Sequence, residues 1–275
     1  MTEGRSCCLR PVRSCCPRPG KKELEVFMAR FFSWRQLAFV LPALTLGCGT
    51  PGDDTYAATF VADTVVDAPG ANPAVQFGDP ERAVNGIRGA GLSRGSFDVY
   101  SLDYADRRSV TLSLEGGTRA FFDGEGPELV VFENGFQYAG ADTFFMDPVI
   151  VEVSSDGTLF TALPHRYVPS EGLEYDPRPS AWEGFAGTLP VITHADSNPI
   201  DPFDPRAGGN AFDLADLGDS SEARALRSEG IRFVRLSSAA VHINPDTGRL
   251  YPRDPTSNGA DIDGIAVRYT RSVLR

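Results

Sequence analysis

The chain has 275 residues, with 26 Lys or Arg, 37 Asp or Glu and a formal net charge of −11 at pH 7. Residues 1–47 hold eight basic and three acidic groups, so the charge from Cys48 onward is −16 and every basic group there is an arginine. That balance excludes a basic surface for nucleic acid or anionic lipid, and it favours cation binding or plain solubility.

The first element is an apolar run from Leu37 to Gly47, with Arg30 and Arg35 upstream and Cys48 at its end. A basic flank, a short apolar core and a small residue before the cut are the parts of a secretory signal. The run is too short to cross a bilayer, which takes about 20 residues. A cysteine after the small residue resembles the lipobox of bacterial lipoproteins, which implies that Cys48 becomes the lipidated first residue. Met28 fits a normal signal start, leaving residues 1–27 as an upstream extension. Cys7, Cys8, Cys15 and Cys16 all lie there, so no disulfide is expected beyond Cys48. The expected organisation is a leader and signal at 1–47, a lipidated Cys48 with a Gly/Pro/Asp-containing tether to residue 58, and one domain over 59–275. About 220 residues suffice for one sizeable β domain.

Within that domain, alternation and β-branched or aromatic runs predict strands at Phe97–Leu102, Ser109–Glu115, Glu128–Glu133, Pro148–Ser154, Leu159–Leu163, Ile231–Ser238 and Asp263–Thr270. Gly, Pro and Asp clusters punctuate them. One helix is predicted over Ser221–Glu229, with Ser220 or Ser221 as N-cap and Gly230 as stop. Shorter helical turns are expected at Phe212–Leu217 and Asp79–Val84. Many short strands with such turns point to an all-β antiparallel β-sandwich or jelly roll with one or two short helices.

Several segments in fixed order carry a resemblance: VFEN at 131–134, VEVS-DG at 151–157, FDLADL at 212–217 and GADID running on to Val267. The order, spanning about 95–267, is similar to a family of bacterial cell-surface proteins and lipoproteins. The resemblance implies a galactose-binding-like jelly roll at the cell surface and brings no established activity.

The acidic motifs are the candidate site. Asp261 and Asp263 are two apart, so a regular strand would point them to one face. Glu133 ends an apolar strand, and Asp213 sits at a Gly-rich entry to a helical turn. A carboxylate among apolar neighbours is costly unless paired or bound to a cation. If Glu133, Asp213, Asp261 and Asp263 converge, Ca²⁺ suits them, since it takes six to eight oxygens. Otherwise each caps a turn or pairs with Arg232, Arg235 or Arg268. The run Asp196–Asp204 lacks the EF-hand spacing and reads as a solvated turn. Gly91–Gly95 matches a nucleophile elbow but has no helix after it, so it reads as a tight turn. His194 beside Asp196 reads as a surface-loop pair. Tyr167, Tyr175, Trp182, Phe185 and Phe203 fall in a long irregular stretch, where they either close the loop by burial or form a sugar-stacking platform.

The expectation is therefore an exported, membrane-anchored surface protein, a non-enzymatic binding or structural module with glycan as ligand class and Ca²⁺ as its ion. The rivals are an adhesive lipoprotein with no small ligand and a hydrolase using paired carboxylates. The hydrolase requires two carboxyls facing each other across an open cleft.

Overall fold

The structure is a computed structural model, and it describes residues 58–137 and 143–273. Cys48 and the segment read as a signal lie outside the described residues. Among those described, no helix is long and apolar enough to cross a membrane.

Ten strands build two antiparallel sheets. They are β1 (Phe60–Val61), β2 (Thr64–Asp67), β3 (Tyr100–Ser101), β4 (Ser109–Ser113), β5 (Leu129–Glu133), β6 (Val149–Ser154), β7 (Thr161–Ala162), β8 (Asn210–Phe212), β9 (Phe233–Ser238) and β10 (Asp261–Val267). One sheet runs β1-β10-β5-β8, with β3 also on β10; the other runs β7-β6-β9-β4-β2. Alternating apolar positions from both sheets share one core. Leu129, Val131, Ile262, Ile265 and Val267 meet Leu112, Val151, Val153, Val234 and Leu236, all buried. The fold is the all-β sandwich that the strand pattern predicts.

Arg235 of β9 lies opposite Glu152 of β6 and grips it with two hydrogen bonds, of 2.7 and 2.6 Å. The helix over Ser221–Glu229 forms where Ser220 accepts from the Ala223 N–H and stops at Gly230, whose φ of 86° suits glycine.

The strand expected at Leu159–Leu163 narrows to Thr161–Ala162, that at Asp263–Thr270 lies at Asp261–Val267, and two further elements differ more. The strand at Phe97–Leu102 shrinks to Tyr100–Ser101, since Phe97 is 80% exposed and only the last residues reach β10. The helical turn at Phe212–Leu217 begins later. Asn210–Phe212 is the edge strand β8, and Asp213 caps a 3-10 turn over Leu214–Leu217.

The long stretch after Tyr167 is packed on itself. Tyr167, Trp182, Phe185, Met146 and Tyr251 form a second buried cluster, with the Trp182 Nε1–H donating to the Asp176 carbonyl at 2.8 Å. Burial rather than display therefore accounts for most of these aromatics.

Candidate functional site

The structure divides the four expected metal ligands into three groups. Glu133 and Asp261 come together: the Asp261 N–H donates to Glu133 Oε1 at 3.0 Å. Asp263 does not join them. β10 shifts register between Ile262 and Gly264, so Asp263 is the extra residue of a β-bulge. A bulge breaks the two-residue alternation that would align it with Asp261. Asp263 is instead buried against the Arg88 N–H, which reaches its two oxygens at 2.9 and 3.0 Å. The Asp261 carboxylate accepts from Ser101 Oγ.

Asp213 is also elsewhere. It caps Ala215 at 2.8 Å and converges with Asp123 and Glu128, their carboxylate oxygens within 4.8 Å of one another. That group is already satisfied. Glu128 accepts from the Gly124 and Leu214 N–H groups at 2.9 and 2.8 Å, and Asp123 pairs with Arg227 at 3.2 Å.

The residue that sequence reasoning missed is Asp147. It precedes Pro148 at the mouth of β6 and reads there as turn punctuation. The short pairing of Phe136–Gln137 with Phe144–Phe145 folds the chain back and brings Asp147 to Glu133. Asp147 is 5% exposed and accepts from Tyr104 at 3.3 Å and from Ser257 at 2.5 Å. Glu133 is 2% exposed, and its Oε2 has no hydrogen-bond partner among the described residues.

Burial raises the proton affinity of these acids. Glu133 is held well above the usual carboxylate range, first by burial and then by the charge of Asp147. Burial pushes Asp147 up to about 7, with Asp261 and Asp254 adding to it and the Ser257 hydrogen bond opposing it. Asp261 is also raised by burial.

Above these acids lies an open groove of about 1060 Å³, lined by Tyr104, Tyr175, Tyr251, Arg108, Arg249 and Arg253, with Glu174 as its acidic lining residue. Tyr104 belongs to both places, since its hydroxyl bonds Asp147 while the Arg253 guanidinium lies 5.0 Å from its ring centre. Tyr175 points its hydroxyl down to the Met146 carbonyl at 2.7 Å. Arg108 donates to the Ala105 carbonyl at 2.7 Å. None of the three arginines has an ion-pair partner among the described residues. The groove draws its walls from segments far apart in sequence, so no local motif announces it.

The other candidates are structural. His194 Nδ1 accepts from the Asp196 and Ser197 N–H groups and holds a turn. Asp196 pairs with Arg88, and Asp201 and Asp204 each accept from a main-chain N–H two residues on. No helix follows Ser93, so it lacks the setting of a nucleophile elbow.

Compared with known protein families and with curated proteins, the chain has no match.

Proposed function

We propose that this chain is an exported, lipid-anchored surface protein that binds an anionic glycan without transforming it. The observation that carries this reading is the groove, where three arginines without carboxylate partners among the described residues surround the half-buried Tyr104 and Tyr175 and the buried Tyr251 in a strongly acidic domain. Guanidinium forks pair with carboxylates and sulfates through two parallel hydrogen bonds, and tyrosine rings stack on sugar faces. The volume is at the upper end for a small-molecule site. Lipidation of Cys48, a cell-surface setting and the galactose-binding-like resemblance belong to the same proposal.

Hydrolysis has less support. It requires Glu133 and Asp263 facing each other across an open cleft, whereas both are buried, and Asp263 is held by a main-chain N–H. The adhesive alternative draws on one observation. Ile243 and Leu250 pair across a hairpin beside the groove while 59% and 57% exposed.

The test is affinity electrophoresis through gels containing polygalacturonate, alginate or neutral dextran. Retardation by an acidic polymer, lost in the Arg249→Ala/Arg253→Ala double variant, supports the proposal. Equal retardation by dextran, or none by any acidic polymer, sinks it. If Leu250→Ser abolishes attachment to cells while the arginine variant retains it, the adhesive reading replaces it.

A further inference from the structure

Glu133 Oε2 poses a problem of donor balance. It is buried, carries or shares a negative charge, and has no donor among the described residues. The Gly135 N–H lies beside this carboxylate and lowers its proton affinity, but it makes no hydrogen bond to Oε2. A Cβ built on Gly187 would lie 3.0 Å from Glu133 Oε2 and 2.6 Å from the Asp147 carbonyl oxygen. A Cβ built on Gly135 would lie 3.6 Å from the same Oε2 and 3.4 Å from the carbonyl oxygens of both Phe145 and Gly187. Two glycines, one with a φ of 78°, thus let one carboxylate oxygen and three main-chain carbonyls pack closely, and at Gly187 a side chain would collide with them. The Asp147 carboxylate faces the same charge.

A concentration of acceptors that outnumbers its donors calls for a positive species. One proton neutralises one charge and bridges one pair of oxygens. A hard cation of high coordination number can use the carboxylates and the carbonyls together. We propose that Glu133 and Asp147, with the carbonyls of Phe145, Asp147 and Gly187, hold a calcium ion.

The donor chemistry selects the metal class. Every donor is oxygen, and histidine and cysteine, the ligands that zinc prefers, are absent from the set. The carbonyls come from irregular segments, which suits the flexible shell of calcium better than the strict octahedron of magnesium. Asp147 is positioned for the role by Tyr104 and Ser257, whose hydroxyls fix its plane while leaving lone pairs on both oxygens. This site is separate from Asp123, Glu128 and Asp213, whose carboxylates have donors of their own. It does not rest on the glycan reading, and its test uses no glycan.

Two readouts on the purified full chain test it. In the first, a thermal melt after chelation is repeated with calcium. At calcium about a hundredfold above its dissociation constant, the midpoint is expected to rise by roughly 5–10 °C. The rise should vanish in Glu133→Gln and in Asp147→Asn, and persist in Asp213→Asn. In the second, terbium replaces calcium and its emission is excited through tyrosine, with Tyr104 and Tyr175 beside Asp147 as antennae. Calcium should displace the signal. Tyr104→Trp keeps an antenna but removes the hydroxyl on Asp147, and is expected to weaken calcium by about tenfold to a hundredfold. The terbium titration of wild type keeps the test decisive if a carboxylate variant does not fold. The proposal is overturned if wild type shows neither a calcium-dependent rise nor displaceable terbium emission. It is also overturned if the rise survives in both carboxylate variants or is lost in Asp213→Asn. A wild type indifferent to calcium, with Glu133→Gln melting higher, would assign the space to a shared proton instead.

Discussion

Glu128 and Glu133 bracket the same strand, are 0% and 2% exposed, and have opposite surroundings. Each oxygen of Glu128 meets a main-chain N–H, so the carboxylate braces the turn at Gly124 and the 3-10 turn at Leu214. Glu133 has one N–H on Oε1 and, among the described residues, no hydrogen bond on Oε2. Burial is therefore not what separates a structural acid from a candidate site. The supply of donors is. Asp263 falls between them, with one N–H shared by two oxygens.

The comparison can be broken most forcefully at Glu128. Glu128→Ala strands two N–H groups, and a buried unsatisfied group costs about 1–3 kcal/mol. The expected loss is about 2–6 kcal/mol in urea unfolding, whether or not calcium is present. A loss that calcium restores would make Glu128 a ligand and undo the contrast.

The intermediate case is read by pH. Burial pushes Asp263 up to about 7 from an ordinary 3.8, with the Arg88 N–H opposing it. Between those values the folded state binds more protons than the unfolded state. Stability is then greatest below about 4 and falls as pH rises through about 7. The linkage is on the order of a few kcal/mol in saturating calcium. Asp263→Asn should flatten the curve between pH 5 and 8. Asp204, held at about 2 by its Arg206 hydrogen bonds, acts in the opposite sense, and only below its ordinary value of 3.8. An unchanged slope in Asp263→Asn would place the titrating group elsewhere.

Glu133→Gln, measured with calcium chelated, should unfold no more easily than wild type and is expected to gain about 1–3 kcal/mol, because it removes an uncompensated buried charge. A marked loss would show that Glu133 has a donor after all. The smallest effect belongs to Asp213→Ala, which removes a cap worth about 1 kcal/mol and should leave the calcium response intact.

What the sequence made legible was what is encoded locally. The helix after Ser220 was readable from its cap and its glycine stop, and the long strands from alternation over five or more residues. Tyr100–Ser101 was overextended because Phe97 and Val99 look like strand residues, although the pairing partner begins only at Asp261. Phe212 reads as the start of a helical turn because Asp213 and the apolar residues after it suit one. Its strand state comes from pairing with Leu129, as Asn210 and Ala211 pair with Val131 and Val130, which only the tertiary fold supplies. The site was half legible. Glu133 and Asp261 were found as acids in apolar company, but the bulge that separates Asp263 leaves no mark in residue spacing. Asp147 could have been suspected from its place after Phe144, Phe145 and Met146 and before a strand, an acid with apolar neighbours on both sides. The groove could not, because Arg108 and Arg253 lie far apart in the chain.

The second aromatic cluster has a practical consequence. From Cys48 onward the chain contains one tryptophan, Trp182, edge-on to Phe185 at 5.2 Å between ring centres and 5.8 Å from Tyr175. Tyr175 lines the groove and bonds Met146, the residue before Asp147. The segment from Cys48 onward thus carries a built-in optical gauge. A single indole, sealed from water and in tilted ring contact with the wall of the cleft, gives one emission band whose colour and intensity report on that wall without any added label.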